Sequence, residues 1–204
     1  MTVVALVPTG RTGQFGDISL LEPALRNLLA SDCIDLVALV TASSDVDEIK
    51  NALTGPPIQV IGIEQTAFES TNSMIAAALP AISISGSSAI SAVLVHPPRH
   101  AYAPPELVRR VVDEVRAGAV AVVPVLPCTD TVKELDSSGV IIDTPDRTTL
   151  RVTQSPIGFA ASLWSGEEPG TWRRLPPGAR TIAGHPAARA IRTAFDLVFA
   201  KDSA

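Results

Sequence analysis

Three stretches of this 204-residue chain place groups that can do chemistry directly after apolar runs. The first run, residues 2–7, ends at Pro8 and is followed by Gly10, Arg11, Gly13 and Gly16. Backbone N–H groups in such a glycine-rich loop can approach phosphates closely. A bare tight connection has the same composition, and both readings fit. No Gly-Lys-Ser/Thr follows, and the glycine spacing is not the dinucleotide fingerprint. The second stretch is His96-Pro97-Pro98-Arg99-His100, after the run 90–95. Two imidazoles suit a softer metal than Mg²⁺, and this spacing alone does not build an octahedral oxygen site. The third begins after the run 120–125 and sets out Cys128, Asp130, Thr131 and Lys133, then Asp146 and Arg147, then Gln154-Ser155-Pro156.

The elements that position these groups are legible from periodicity. Runs at 2–7, 90–95 and 120–125 are largely apolar, as in parallel strands covered on both faces, and 34–41 and 57–63, which contain Asp35 and Gln59, read as the second and third strands. Helices are predicted over 17–30, with Asp17 or Ser19 as the cap, over 44–53 with an acidic first turn, and over 74–79. A further helix covers 104–117, with proline in its first turn and Gly118 after its end. A hairpin pairs 128–133 with 140–142 across Asp136-Ser137-Ser138-Gly139. A helix is predicted from Pro156, a last strand over 179–183 and a last helix over 187–200. In an open α/β sheet ligands sit at the carboxyl ends of strands, which puts His96 at the site.

The chain length fits one α/β domain, residues 1–204, with a substantial core. A net charge of −5 argues against a nucleic-acid partner. Cys33 and Cys128 are far apart, lack metal spacing, and fit small buried side chains in a reducing cytoplasm. The N-terminus has no basic region before its apolar run, so no signal peptide is expected. Residues 70–95 carry no charge, but Pro80, Gly86 and many serines argue against a membrane span.

The stretch 91–159 resembles the 2-C-methyl-D-erythritol 4-phosphate cytidylyltransferase family. The resemblance is carried by His96, Pro104 to Leu107, Asp130-Thr131-x-Lys133, Asp146-Arg147, Leu150, Gln154, Pro156 and Phe159. It implies a Rossmann-like three-layer α/β nucleotidyltransferase fold, with residues 127–150 forming a β arm that reaches the other subunit of a homodimer. It implies CTP and methylerythritol phosphate as substrates and Mg²⁺ as cofactor. Pro8, Gly10 and Gly13 match the family's phosphate loop, Ser73 its base-contacting segment, and His96 its nucleotide side. Ser73 fits a helix N-cap equally well. Thr131, Arg147, Arg99 and Arg192 match the acceptor-phosphate side, and Arg189 is an alternative to Arg192. An arginine holds phosphate by two parallel hydrogen bonds. Ordering the arm is the other role open to Thr131 and Arg147, and a solvated surface charge the other reading of Arg99, Arg189 and Arg192.

The departures fall on the nucleotide and metal side. The loop is short and lacks the family's lysine, the first lysine being Lys50, which leaves Arg11 as the substitute cation. Pro97 stands where the family has its metal-binding aspartate, and Ala190 where it has a late lysine. A guanidinium differs in geometry from an ammonium, and proline has no ligand atom. Catalysis is therefore assigned to Arg11, Thr131 and Arg147 with no metal ligand. The expected activity is weakened or lost, and the alternative is a non-catalytic homologue that binds a phosphorylated ligand or a protein partner.

Overall fold

The computed structural model describes residues 2–9, 18–52, 58–69, 71–83, 89–164 and 176–202. The first strand, β1 (Thr2–Pro8), is buried along its whole length. It lies between β2 (Leu36–Ala42) and β4 (Ile90–Val95), parallel to both, and β3 (Ile58–Ile63) extends the sheet beyond β2. On the other side come β9 (Ile157–Ala160), β5 (Ala121–Pro127) and β10 (Arg180–Ala183), and β8 (Arg151–Thr153) pairs with the far end of β5. β9 runs antiparallel to β4 and β5, and β8 antiparallel to β5, within the eight-stranded sheet of the described residues.

The continuous apolar runs follow from burial on both faces. Val3, Ala5 and Val7 of β1 point to one core, together with Val37, Leu39, Ala92 and Leu94. That core is covered by α1 (Leu21–Leu29) and α4 (Pro105–Arg116). Val4 and Leu6 point to the other core, with Ala38, Val40, Val93 and Val95. Met74, Ile75 and Ala78 of α3 (Thr71–Ala78) cover it. Successive residues of a strand face opposite ways, so two helix layers need every position apolar.

The helices form where helical spacing and end signals agree. Leu21, Ala24, Leu25 and Leu28 give α1 one buried stripe, and Glu22 pairs with Arg26 one turn on at 2.6 Å in solvent. α4 opens at Pro105 and buries Leu107, Val108, Val111, Val112 and Val115. Gly118 takes a φ of +92° where that helix must stop. α2 (Val46–Ala52) is a short helix that buries Ile49. Among the described residues no helix is long and apolar enough to cross a membrane.

Cys33 and Cys128 are partly rather than fully buried, and the cap position of α1 is Leu20 rather than Ser19, with Asp17 outside the described residues. Three elements also differ from expectation. The segment after Pro156 is a strand, β9, not a helix. It fills the gap between β4 and β5, where Phe159 is the register partner of both Val93 and Ala121. A short apolar run has no period that separates strand from buried helix. Gly158 is what lets α4 lie directly on it, since a Cβ there would sit 2.6 Å from Val111 Cγ1.

The last helix, α5 (Ala194–Asp202), begins seven residues later than expected. Pro186–Ala188 is a separate 3₁₀ turn. Thr193 and Asp196 form a reciprocal cap, with Asp196 N–H donating to Thr193 Oγ1 at 3.2 Å and Thr193 N–H to Asp196 Oδ2 at 2.9 Å.

The hairpin pairs β6 (Glu134–Leu135) with β7 (Ile141–Asp143), so its first strand lies after residues 128–133 rather than within them. Its turn is as read. Asp136 Oδ1 accepts from Ser138 N, Ser138 Oγ and Val140 N, and Gly139 has φ +85°. All residues of this hairpin are exposed.

Candidate active site

The strand order turns at β1. β2 and β3 lie to one side of it and β4 to the other, which opens a crevice at the carboxyl ends of β1 and β4. Pro8 closes β1 there and is buried, and Thr9 is held by its N–H on Val40 O at 2.8 Å. His96 leaves β4 with its N–H on Leu6 O at 2.9 Å. His96 is 1% exposed, and its Nδ1 has no hydrogen-bond partner among the described residues. Burial, and then the neighbouring His100, push its pKa down to about 3, so it is a neutral imidazole at any physiological pH.

Beside this point a cleft of about 530 Å³ opens between the loop after β4, the β5–β8 end and the chain after β10. Arg99, His100, Gln154, Arg189 and Arg192 line it, with Thr129 and Asp130 from the base of the arm. His100 is buried, with Nδ1 2.9 Å from Ala188 O. A carbonyl only accepts, so Nδ1 carries the proton. Burial pushes the His100 pKa down to about 4, against the contrary pull of that hydrogen bond, and Arg99 and Arg192 push the same way as burial. Ile191 N–H donates to Arg99 O at 2.7 Å. The loop after β4 and the segment after β10 are thus tied together twice.

Three arginines against two carboxylates, Asp130 and Asp196, give the cleft lining an excess of positive charge. Burial and the nearby Arg192 both lower the pKa of the half-buried Arg99 guanidinium. Two like charges are being held close, and a bound anion relieves that repulsion. Asp196 also lines the cleft, but its Oδ2 accepts from the backbone N–H groups of Arg192 and Thr193, which hold its carboxyl below the usual range. Three arginines line this one hollow, and a guanidinium holds phosphate by paired hydrogen bonds.

The sequence-predicted residues divide between several places. Arg99 and Arg192 meet in the cleft, and Arg189 joins them rather than replacing Arg192. Pro8 and His96 lie at the ends of the two central strands. Ser73 sits exposed on α3. Thr131 and Arg147 are exposed outside the cleft of their own chain, with Arg147 Nη1 donating to Thr129 O at 2.9 Å. Gly10, Arg11 and Gly13 lie outside the described residues. The sequence alone gave Gln154 no structural task. The signal for one was a long amide side chain directly after the strand 151–153, where chain turns meet the cleft.

The residues at the end of β4 do not fit the Mg²⁺ that the family resemblance implies. Mg²⁺ takes oxygen ligands, carboxylates above all. Pro97 supplies none, and His96 offers a neutral ring nitrogen. Among the described residues no group of three His, Cys, Asp or Glu side chains is placed to hold a metal.

Comparison with known proteins bears on the same stretch. Residues 10–167 match the family model for 2-C-methyl-D-erythritol 4-phosphate cytidylyltransferase. The enzymes of that name from Rhodococcus jostii and Nocardia farcinica are 34% and 35% identical over 221 residues, covering 98% of this chain and 93% of each relative. The crystal structure of 4-diphosphocytidyl-2C-methyl-D-erythritol synthase from Anaerococcus prevotii superposes with a TM-score of 0.74 at 19% identity, covering 98% of this chain and 97% of the other. That of the cytidylyltransferase from Thermus thermophilus gives 0.66 at 23% identity, over 99% and 98%. These two establish the nucleotidyltransferase fold, and the family-model match with the relatives establishes that the chain belongs to the 2-C-methyl-D-erythritol 4-phosphate cytidylyltransferase family of isoprenoid biosynthesis.

Proposed function

We propose that this protein binds a sugar-alcohol phosphate, methylerythritol 4-phosphate, in the arginine cleft and transfers a cytidylyl group to it from CTP, more slowly than a relative with the full set of cations. The observation that carries this reading is the convergence of Arg99, Arg189 and Arg192 on one hollow beside the strand-end crevice. A phosphate oxygen of the acceptor attacks the α-phosphorus of CTP. The new P–O–P bond forms as the α–β anhydride breaks, and pyrophosphate leaves with the electron pair. Nothing in this step needs a proton donor. It needs the acceptor phosphate held and aimed, and charge balanced on the nucleotide. Arg99, Arg189 and Arg192 do the first, and Arg11 is the cation this chain has for the second.

The rate is expected to be lower because Pro97 replaces an aspartate and no lysine precedes Lys50. A missing charge-stabilising contact costs about 3 kcal/mol, or about two orders of magnitude in kcat. The same two substitutions favour the second reading, a homologue that binds the phosphorylated ligand without catalysis. Thr131 and Arg147 are exposed on either side of a hairpin whose Leu135, Ile141 and Ile142 are 54%, 57% and 60% exposed. We assign residues 127–150 to a homodimer contact in which Thr131 and Arg147 serve the partner copy's cleft. The two free cysteines fit a cytoplasmic protein.

The test is pyrophosphate release from CTP and Mg²⁺ with and without methylerythritol 4-phosphate, beside the Thr131→Ala and Arg147→Ala variants. Release that requires the sugar phosphate and falls in both variants supports the transferase. No release, with no thermal stabilisation by CTP but stabilisation by the sugar phosphate, selects the non-catalytic binder.

A further inference from the structure

The segment that carries Arg189 and Arg192 into the cleft belongs to neither a strand nor an α-helix. β10 ends at Ala183, and Gly184 N–H makes a last sheet-like bond to Val125 O at 2.8 Å. Past this point, among the described residues, no strand pairs with His185, although its C=O accepts from Ala188 N–H of the next turn at 3.0 Å. The side chain of Gln154 takes that place. Its Oε1 accepts from His185 N–H at 2.8 Å, and its Nε2 donates to His185 O at 2.8 Å. Gln154 is 2% exposed and is itself pinned by its N–H on Pro124 O at 2.8 Å. The amide therefore acts as one extra rung of the sheet, in fixed register. Gly184 makes room for it, since a Cβ there would overlap Gln154 Oε1.

The next residues of the chain depend on that rung. His185 Nδ1 accepts from Ala187 N–H at 3.2 Å and so caps the 3₁₀ turn Pro186–Ala188. Ala188 O is the partner of His100. Arg189 comes next, and Arg192 three residues later. We propose that Gln154 is a positioning residue for the acceptor phosphate: by bonding both backbone groups of His185 it sets the register of the segment that presents Arg189 and Arg192. This rests on the arginine cleft being the acceptor site. A buried glutamine that only completed local hydrogen bonding would not distinguish between ligands, whereas a positioning residue weakens the acceptor selectively.

The experiment is calorimetric titration of the full-length protein with methylerythritol 4-phosphate, with inorganic phosphate and with CTP, for wild type, Gln154→Ala, Gly184→Ala and the double variant. Amide hydrogen exchange over 184–192 is measured alongside. Loss of two neutral hydrogen bonds predicts about tenfold weaker binding of both phosphate ligands. CTP affinity stays within twofold, and exchange is faster over 184–192 than over α4. Gly184→Ala, which retains the amide but displaces it, does the same, and in the Gln154→Ala background it adds little because the overlap is gone. If Gln154→Ala does not fold, Gly184→Ala alone carries the comparison. Unchanged phosphate affinity in these variants, or an equal loss for CTP, overturns the positioning role and leaves the acceptor reading standing. Failure of the wild type to bind either phosphate ligand removes both.

Discussion

Lowering the pH from 8 to 5 should destabilise the folded protein by about 4 kcal/mol, through two buried histidines. His96 and His100 have pKa values held down to about 3 and about 4 from an ordinary 6.5, chiefly by burial. The direction follows from linkage. The unfolded chain takes up a proton at each imidazole as pH falls through 6.5, and the folded chain does not until it reaches the lower values. Above 6.5 both states are neutral and the histidines are silent. Below it, stability falls by about 1.4 kcal/mol per pH unit per histidine. At pH 5 that is about 2 kcal/mol each, a large fraction of the 5–15 kcal/mol of a typical domain. Between pH 4 and 3 only His96 continues to contribute. Urea unfolding followed by circular dichroism at pH 8, 7, 6 and 5 reads the effect directly. His100→Gln retains an N–H donor for Ala188 O but cannot titrate, so its slope below pH 6.5 should be about half that of the wild type. A flat profile from pH 8 to 5, or a wild-type slope in His100→Gln, would refute the reasoning that both rings are buried neutral.

Other outcomes follow from packing and charge. Gly158→Ala places a methyl 2.6 Å from Val111 Cγ1 and should cost about 1–3 kcal/mol by denaturation, with Val111→Ala restoring part of it; no loss would mean that α4 can lift from β9. Ile141→Lys, at a position 57% exposed, should keep the native far-UV circular dichroism while shifting the sedimentation mass from dimer to monomer and removing the concentration dependence of the melting temperature; an unchanged mass means that the hairpin is not the contact. Arg192→Ala should raise KM for the acceptor about tenfold or more, the scale of one charged hydrogen bond, while leaving KM for CTP alone. Thr193→Ala removes half of the α5 cap and should cost about 1 kcal/mol in thermal unfolding.

Much of the fold was legible in the sequence because its elements follow local rules. The doubly buried strands at β1, β2 and β4 had to be apolar at nearly every position, and the Leu21–Ala24–Leu25–Leu28 stripe has helical spacing. The prolines before α4 and Gly118 after it marked its ends. The turn at Asp136 to Gly139 carried its own chemistry. The place of His96, at the carboxyl end of a central strand, followed from the same rules. The resemblance to a family came from residues in fixed order.

Tertiary structure alone decided what depends on neighbours distant in the chain. Residues 157–160 are a strand because β4 and β5 leave a gap of one strand's width, which no local period encodes. α5 starts late because Thr193 and Asp196 cap each other while Pro186 to Arg192 is drawn across to Arg99 and His100. Arg189 and Arg192 join Arg99 because β10 lies beside β5, although the two segments are far apart in sequence. Neutral imidazoles and crowded guanidiniums arise from burial and proximity, which are properties of the packed molecule. Gln154 shows the division most plainly. Its type and its position after a strand are written in the sequence, but its partner, the backbone of His185, is set by how the sheet is assembled.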